Sequence, residues 1–445
     1  MASRSLFRAL ILVGGLALGL ASEAVAAHPG RTASVTLTGI LEVTHGDDFR
    51  RGKATYFYKL RTPKGRIGLD FKGSRPRTLG GARLRLRGHR SGNRFIVASG
   101  GVQKLRAIAG AKKSLAGARR AAVVLINFRN DQSQPWTVDQ ARGVMFTNSN
   151  SVSAYYLEQS FGQVSFVGKV RTDGDVFGWY TIPLEGGGGV CNVGDWTVAA
   201  QAAAQDAGVD LTGYDHIVYA FPRTGCNFLG LANAPGNSAW LNGVFALRVA
   251  AHELGHNLGS HHSGAMYCQD STGAKAPIGP TCSSTEYGDP FDVMGSGTRH
   301  FNNWHKAQLG WIGQGNRQTV MTTGTYTIAP QEWANPGVQV LRIPRGGSWY
   351  YLEFRQPYGT LFDNFSPGDP AVQGVSIRLA GDYFDLVPSY LLDATAETET
   401  FADAPLPVGR TFVDPAYSVA IKTQSVSPTG ATVHISLDGT PPPPP

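Results

Sequence analysis

Residues 252–262 read HELGHNLGSHH and match H-E-x-x-H-x-x-G-x-x-H at every fixed position. His252 and His256 are four residues apart, so both side chains lie on one face of a helix and can bind one metal ion. Gly259 ends that helix, because glycine adopts the left-handed conformation that turns the chain back. The turn brings His262 to the same ion. Three neutral imidazoles leave a tetrahedral Zn²⁺ with one open position, which is typical of a catalytic site.

Glu253 follows the first of these histidines, where its carboxylate faces the open position and can act as a general base. A pair of histidines four residues apart is by itself more often a coincidence. The complete pattern, with the glutamate and the glycine in place, is not easily explained in that way. We therefore predict Zn²⁺ as the cofactor, Glu253 as the catalytic residue, and His252, His256 and His262 as the metal ligands. His261 is adjacent, but the spacing of the pattern favours its neighbour.

A methionine follows downstream, in the stretch YGDPFDVMG at residues 287–295. Alone, Met294 would be interpreted as a residue of the core. The chain contains only five methionines, so one in a tight turn after the extended zinc pattern is unexpected by chance. A methionine in such a turn after the extended zinc pattern resembles that of the metzincins, and this resemblance implies that the Met294 side chain forms an apolar floor beneath the metal.

The first residues are typical of a secretory signal peptide. Arg4 and Arg8 precede an apolar run over residues 9–20, and AVA at residues 24–26 fits a cleavage site. The apolar run is too short to span a bilayer as a stable helix, and no later segment reaches the necessary length. We predict a signal peptide over residues 1–26 and a secreted, extracellular protein without a membrane span.

All four cysteines lie between residues 191 and 282. Export favours disulfides, and four cysteines allow three pairings. We predict Cys191–Cys226 and Cys268–Cys282, the second of which closes a loop after His262. A cysteine-based zinc site is the alternative, but the chain contains no C-x-x-C pair to support it.

Charge is divided unevenly along the chain. Residues 27–120 contain 22 Lys and Arg against 4 Asp and Glu, a net charge of +18, whereas residues 121–445 contain 16 against 27, a net charge of −11. Opposite charges predict two parts that attract each other. A basic segment often indicates nucleic-acid binding, but here it is predicted to be removable, so we predict no nucleic-acid partner. We expect the segment to act as an inhibitory propeptide, with Asp47 or Asp48 able to occupy the open metal position.

Hydrophobic patterning divides the chain in the same places. Alternating residues over 28–110 predict a small antiparallel β-domain, followed by a linker with two dibasic pairs. Strands and helices alternate from residue 121 to the zinc helix, which predicts an α/β half above the metal. Short strands with turn signals recur over residues 316–438, which predicts an antiparallel β-sandwich. Residues 441–445 are a run of prolines, for which we expect an extended tail.

Segments around the zinc pattern resemble the gametolysin-like branch of the metzincin metallopeptidases. They are SVSAYY at 151–156, GLAN at 230–233, WLNG at 240–243, FNNWHK at 301–306 and LGW at 309–311. The resemblance covers roughly residues 121–315 and implies an endopeptidase of extracellular or cell-wall proteins that is made as a proenzyme. It also implies the same three zinc ligands and the same base as the motif itself.

Two features depart from the patterns of some metzincins. Some carry a tyrosine two residues after the turn methionine, where this chain has Ser296, so no fifth ligand of that kind is expected. Some relatives block the zinc with a prosegment cysteine, but residues 27–120 contain none.

The predicted fold class is α+β: the α/β upper half of a metzincin-type catalytic domain, with an N-terminal β-rich prodomain and a C-terminal antiparallel β-sandwich. The predicted segments are a signal peptide (1–26), a basic propeptide and linker (27–120), a zinc peptidase domain (121–315), the sandwich (316–438) and the tail (439–445). The predicted function is zinc-dependent hydrolysis of protein or peptide substrates. A secreted adhesion protein with a structural zinc site and a zinc hydrolase of peptidoglycan cross-links are the alternatives.

Overall fold

The computed structural model describes residues 34–76, 79–105, 115–187 and 191–440. The predicted signal peptide, the Lys112–Lys113 pair and the prolines at 441–445 lie outside these residues. Helices account for 16% and strands for 40% of the protein. The structure is thus mostly β, with several sheets and few helices, and it is not clearly of the predicted α+β class; the metzincin-type upper half stays a prediction.

The first five strands close into a barrel. They are β1 (Val35–Asp48), β2 (Lys53–Thr62), β3 (Gly65–Phe71), β4 (Arg83–Ser91) and β5 (Arg94–Lys104). Their order around the barrel is β1–β2–β3–β5–β4, and β4 pairs again with β1. Side chains alternate along each strand, so Leu84 and Leu86 fill the interior whereas Arg83, Arg85 and Arg87 are exposed. This alternation places the basic charge of the segment on the outside of the barrel.

A mixed sheet follows the barrel, with helices on both faces. Its strands are β6 (Gly117–Phe128), β7 (Val164–Val167), β8 (Asp175–Ile182), β9 (His216–Phe221), β10 (Gly230–Asn233) and β11 (Ser238–Asn242). The helices are α1 (Val138–Arg142), a π-helical turn (Gly143–Thr147), α2 (Val152–Gln159), α3 (Val193–Asp206) and α4 (Leu247–Leu258). Alternate residues of β6 enter two separate cores, which explains its continuous apolar sequence.

The barrel and the mixed sheet are joined into one sheet of 11 strands. The end of β1 pairs antiparallel with β10, and Asp47 lies opposite Gly230. The backbone N–H of Leu229 also donates to Asp47 O at 2.8 Å, and that of Ala234 donates to Val43 O at 2.9 Å. β1 therefore lies along β10 as an added strand.

Strand pairing and the contacts of Asp47 with the three histidines hold this junction, whereas the basic side chains of the barrel do not. Within residues 34–76 and 79–105, none of the Lys or Arg side chains forms an ion pair with an acidic residue of the remaining described chain. The predicted attraction between a basic and an acidic part therefore has no direct counterpart in paired side chains there. Main-chain hydrogen bonds and the contacts of Asp47 fix the position of β1 instead.

The rest of the chain forms two packed sheets. Their elements are β12 (Ser263–Gln269), β13 (Lys275–Ala276), β14 (Thr281–Thr285), α5 (Asn303–Leu309), β15 (Arg317–Thr319), β16 (Gly324–Ile328), β17 (Val340–Arg345), β18 (Ser348–Glu353), α6 (Pro370–Gln373), β19 (Gly374–Ala380), β20 (Ser389–Leu392), β21 (Leu406–Pro407), β22 (Thr411–Asp414), β23 (Val419–Ser427) and β24 (Gly430–Ser436). Nine strands form one sheet, and β16, β24, β23 and β22 form the other. Leu341 and Ile377 of the first sheet share a core with Ile421 and Val433 of the second.

The predicted domain boundary at residue 315 does not separate two sheets. β12 pairs with β20, so strands from both sides of this boundary share a sheet. The division into domains stays a prediction.

Both predicted disulfides are present. Cys191 is bonded to Cys226, and Cys268 is bonded to Cys282 across the paired strands β12 and β14.

Among the described residues, none of the helices is both long enough and apolar enough to cross a membrane.

Candidate active site

Helix α4 and the turn after it bring the three predicted ligands together. His252 and His256 lie one turn apart on α4, and Gly259 follows with a φ of +106°, which leads the chain back to His262. All three side chains are buried. The Nε2 atoms of His256 and His262 are 3.1 Å apart. The neighbouring His261 is also buried, but its Nδ1 accepts the backbone N–H of His262 at 2.7 Å.

Hydrogen bonds fix which nitrogen of each ring carries the proton. Nδ1 of His252 donates to Val293 O at 2.8 Å, and Nδ1 of His256 donates to Ser260 O at 2.9 Å. Nδ1 of His262 lies 2.6 Å from Glu286 Oε1. Because these oxygens accept, each Nδ1 carries the proton. The three Nε2 atoms are therefore the ones left to bind a metal, and each lies within 3.8 Å of an oxygen of Asp47.

A divalent metal ion fits this arrangement. Nε2 atoms about 2.0–2.1 Å from a tetrahedral zinc lie roughly 3.3 Å from each other, close to the separation between His256 and His262. His252 Nε2 is buried and has no hydrogen-bond partner, which is costly unless a cation binds it. Burial alone would lower the pKa of His262, but the carboxylates of Asp47 and Glu286 raise it to about 9. The site therefore favours positive charge. Oriented imidazoles with paired Nδ1 atoms are the usual form of a metal-binding histidine.

The Glu253 carboxylate lies beside this cluster. Both of its oxygens are buried without a hydrogen-bond partner, and they lie close to atoms of Asp47 and His252. Burial raises the pKa of Glu253 well above its usual value, and the charge of Asp47 raises it further. Gly230 on β10 leaves the necessary space, because a Cβ atom there would lie 1.8 Å from Glu253 Oε1.

Met294 lies beneath α4. Its Sδ is the atom closest to where a Cβ of Gly255 would be, at 2.5 Å, and Gly255 lies between the two histidines of the helix. The backbone N–H of Met294 donates to Asp292 Oδ1 at 2.7 Å, which holds the turn. The buried sulfur lies against α4 at Gly255, and its role as a floor beneath the metal stays a prediction.

Asp47, from β1, fills the space between the three imidazoles, which we call the central position. Its Oδ1 lies 2.9 Å from His262 Nε2, and its Oδ2 lies 3.4 Å from His256 Nε2 and 3.8 Å from His252 Nε2. Burial would raise the pKa of Asp47, but His262 and His256 hold it well below the usual range. The ionised carboxylate stands where a ligand oxygen of a bound metal or an anionic oxygen of a substrate would lie.

Sequence reasoning missed three residues that surround the central position. Tyr287 donates to Asp47 Oδ1 at 2.7 Å, and Glu286 bonds to His262. His45 is buried with both ring nitrogens unpartnered, and its ring lies 4.5 Å from that of His256 between centroids. Glu286 and Tyr287 directly precede the turn, but their spacing from the histidines carries no signal. His45 is two residues before Asp47, so the two share a face of β1.

Comparisons with known proteins agree with this geometry. A family model described as "Gametolysin peptidase M11" matches residues 122–345, which is half of the chain. No curated protein matches the chain. One solved structure, described as "Structure of a chaperone-substrate complex", is similar over 50% of this chain and 31% of that chain, with 14% sequence identity and a TM-score of 0.21. The chain thus spans less than a third of that structure's length, and a likeness of this size carries no argument.

The family match covers β6 to β17 and includes α4, Glu253, Met294 and all three histidines. The family is metal-dependent, and a cluster of histidine and aspartate that could bind a metal lies within the site. The chain therefore belongs to the gametolysin peptidase family, and it is a metallopeptidase.

Proposed function

We propose that the protein is a secreted zinc-dependent endopeptidase that is made as a latent precursor and hydrolyses peptide bonds of extracellular or cell-wall proteins. The observation that carries the proposal is that the Nε2 atoms of three buried histidines surround Asp47, beside the buried carboxylate of Glu253 and in a cleft already filled by a strand of polypeptide. A structural metal site would gain nothing from an unpaired buried carboxylate, which is costly to the fold. This argues against a purely adhesive protein.

Each residue of the site has a separate role in the proposed hydrolysis. His252, His256 and His262 would hold the zinc through Nε2. When bound, zinc supplies a Lewis acid that polarises a carbonyl and makes a water molecule more acidic. Glu253 takes the proton of the attacking water and passes it to the leaving amine. Burial raises the pKa of Glu253, which makes its carboxylate a better proton acceptor.

The cleft suits an internal stretch of a polypeptide. Residues 44–47 pair antiparallel with β10, and the chain continues through Asp48 and Phe49 after it has passed the three imidazoles. A substrate that replaces this strand would add to the same edge of β10 through its main chain. Because the chain enters and leaves the cleft, we favour an endopeptidase over an enzyme that removes terminal residues.

Latency is proposed to come from the same strand. Asp47 occupies the central position, and β1 occupies the edge of β10 that a substrate would need. Removal of the barrel by cleavage between β5 and β6 would open both; the predicted dibasic pair Arg119–Arg120 lies within β6, where it pairs with β7. The predicted signal peptide and the two disulfides support secretion.

Substitution of the base tests the function directly. In the activated protein, Glu253→Gln should lower kcat by about 10²–10⁴-fold, since proton transfer contributes that much, while the zinc content per chain stays the same. The matched control is Glu185→Gln, which changes an exposed glutamate and should leave kcat unchanged. Undiminished turnover in Glu253→Gln would refute its role as the base.

Digestion of a diverse protein mixture tests the substrate class. We expect internal cuts that disappear when a chelator removes the metal, with the cut sites read by mass spectrometry. Cleavage of peptidoglycan cross-links without cleavage of proteins would favour a cell-wall hydrolase instead. The absence of any metal-dependent cleavage would reject the peptidase function.

A further inference from the structure

Tyr287 places its hydroxyl at the central position. The hydroxyl donates a hydrogen bond of 2.7 Å to Asp47 Oδ1, and the same oxygen lies 2.9 Å from His262 Nε2. Tyr287 is 8% exposed, and its ring centroid lies 4.6 Å from that of His262. One oxygen atom is therefore contacted both by a phenol and by a proposed metal ligand.

The carboxylate of Asp47 stands in for a reacting group. It is carried on a strand that fills the cleft, and its oxygens lie where an anionic oxygen would meet the three imidazoles. Addition of water to a peptide carbonyl also creates an anionic oxygen, which fixed hydrogen-bond donors stabilise. The main-chain oxygen of Asp47 itself accepts from Leu229 N–H at 2.8 Å. A substrate in the cleft would instead turn its scissile carbonyl toward the imidazoles, and the carbonyl oxygen would then lie near the position of Asp47 Oδ1.

We propose that Tyr287 is a catalytic residue whose hydroxyl donates a hydrogen bond to the scissile carbonyl oxygen as this oxygen becomes anionic. The proposal rests on the peptidase function above and adds a residue to it. The oxygen of water bonds to the carbonyl carbon, the π electron pair moves onto the carbonyl oxygen, and Glu253 takes the proton of the water. The pair returns as the C–N bond breaks, and the amine takes the proton from Glu253. Tyr287 keeps its own proton throughout.

The other hydroxyl groups near the site are engaged elsewhere. Ser296, two residues after the turn methionine, donates to a backbone carbonyl of its own turn at 3.3 Å. Tyr156 donates to a carbonyl of α4 at 2.6 Å. Tyr56 lies on β2 and would leave with the barrel. Among residues 115–187 and 191–440, Tyr287 is therefore the hydroxyl that contacts the Asp47 carboxylate.

The loop holds Tyr287 in place from both sides. On one side Glu286 accepts from His262 Nδ1 at 2.6 Å. On the other side Asp289 accepts two hydrogen bonds from Arg378, at 2.8 and 3.0 Å. The phenol is thus fixed before a substrate arrives, which is the property that makes a donor effective in stabilising a transition state.

Tyr287→Phe in the activated protein tests the proposal by turnover. We expect kcat to fall on the order of 10²-fold, as for loss of one such donor, with KM and zinc content unchanged. The affinity for a phosphinic peptide, whose anionic oxygens resemble the transition state, should fall with kcat. Tyr219→Phe is the matched control, because its buried hydroxyl is bonded to Gln201 away from the cleft and its loss should change none of these quantities.

A second experiment uses the unactivated full chain and needs no turnover. Asp47→Gly removes the carboxylate and leaves space beside Tyr287, which formate can fill as a free carboxylate. Formate should raise the thermal unfolding midpoint of zinc-loaded Asp47→Gly, and the formate affinity should be about tenfold weaker when Tyr287→Phe is added. Equal effects of formate on the two proteins would show that the phenol contributes nothing at this position.

The outcomes separate this proposal from the function on which it rests. If wild-type protein cleaves no peptide, the peptidase function fails, while the formate experiment still tests the phenol. If wild-type protein is active and Tyr287→Phe matches it in kcat and phosphinic affinity, only the role of Tyr287 fails. Loss of zinc together with activity in Tyr287→Phe would assign the residue a structural role and overturn the proposal.

Discussion

Two buried clusters of charged and polar side chains lie close together in this protein, one on each side of the turn at Met294. The first is the histidine cluster described above, which we call the metal cluster. The second, which we call the ionic network, consists of Asp289, Glu353, Asp363, Arg355 and Arg378, all fully buried. Both would be costly to bury without partners. The two clusters differ in whether their buried polar atoms have hydrogen-bond or ion-pair partners.

Every charged group of the ionic network is paired. Arg378 contacts Asp289 and Glu353, each at 2.8 Å, and Arg355 contacts Glu353 at 2.7 Å and Asp363 at 2.9 Å. None of these side chains has a buried polar atom without a partner, whereas His45, Asp47, His252 and Glu253 of the metal cluster all do. The difference teaches that burial alone does not identify a functional site. In the metal cluster, several unpartnered atoms belong to groups that can bind one ligand, and it is this concentration that indicates a functional site.

Removal of a charge from the ionic network should have the largest effect on stability. Arg378→Met leaves the carboxylates of Asp289 and Glu353 without their partner, so we expect the free energy of unfolding to fall by about 3–5 kcal/mol. Arg410→Met is the control, because Arg410 forms an exposed pair with Glu397 and should cost less than about 1 kcal/mol. Denaturant unfolding of the zinc-loaded chain measures both. Equal losses in the two variants would contradict the comparison.

A methyl group placed against the base should affect catalysis without affecting stability. In Gly230→Ala the new Cβ would lie 1.8 Å from Glu253 Oε1, 2.4 Å from its Cδ and 2.8 Å from its Cγ, so the buried side chain of the base must be displaced, while the backbone of both elements can stay in place. We expect kcat/KM of the activated protein to fall about 10²-fold, because a displacement of about 1 Å costs that much. Gly225→Ala is the matched control, since a Cβ there has open space. A Gly230→Ala variant as active as this control would place the base elsewhere.

Removal of the carboxylate behind His262 should weaken metal binding. Glu286→Ala leaves His262 Nδ1 without its acceptor, and loss of such a partner lowers metal affinity about 10–100-fold. Competition with a chelator measures this affinity in the full chain. Glu286→Gln can still accept from Nδ1 and should recover part of the loss, which separates orientation from a general disturbance. Unchanged affinity in Glu286→Ala would remove Glu286 from the site.

The smallest effect, a change in the rate of zinc loss, is expected where the barrel contacts the metal cluster. Tyr56 donates to Glu286, so Tyr56→Phe removes one hydrogen bond between the two parts, worth about 1 kcal/mol. We predict that a chelator extracts zinc about fivefold faster from full-length Tyr56→Phe. Tyr58→Phe loses a bond inside the barrel, to Pro76 O, and should match the wild-type rate. The reverse order of the two variants would mean that Tyr56 does not hold the cleft closed.

The parts of the molecule that depend on local sequence were predictable. Spacing along one helix and a glycine turn bring His252, His256 and His262 together, and the Cys268–Cys282 bond closes a short hairpin. Alternation of strands and helices from residue 121 was predicted, but not the exact start of α2, where Ser151 accepts the N–H of Ala154. A capping serine marks the start of a helix, and hydrophobic periodicity alone does not show it.

The contacts made across the chain were not predictable in detail. Charge predicted that the basic segment would meet the body, but the described residues make this contact by pairing β1 with β10. Strand pairing over a separation of this size leaves no local mark in the sequence, because any extended segment can offer the same backbone groups. The positions of Tyr287 and Glu286 depend on that same tertiary packing. Only the suggestion that Asp47 or Asp48 reaches the metal anticipated the observed contact of Asp47.

The coordination of zinc in the full-length protein tests the central claim most directly. X-ray absorption at the zinc edge should show three imidazole nitrogens at about 2.0–2.1 Å and an oxygen at about 2.0–2.2 Å, and Asp47→Ala should alter only the oxygen contribution. Sulfur neighbours, fewer than three imidazoles, or a chain that retains no stoichiometric zinc would contradict the account.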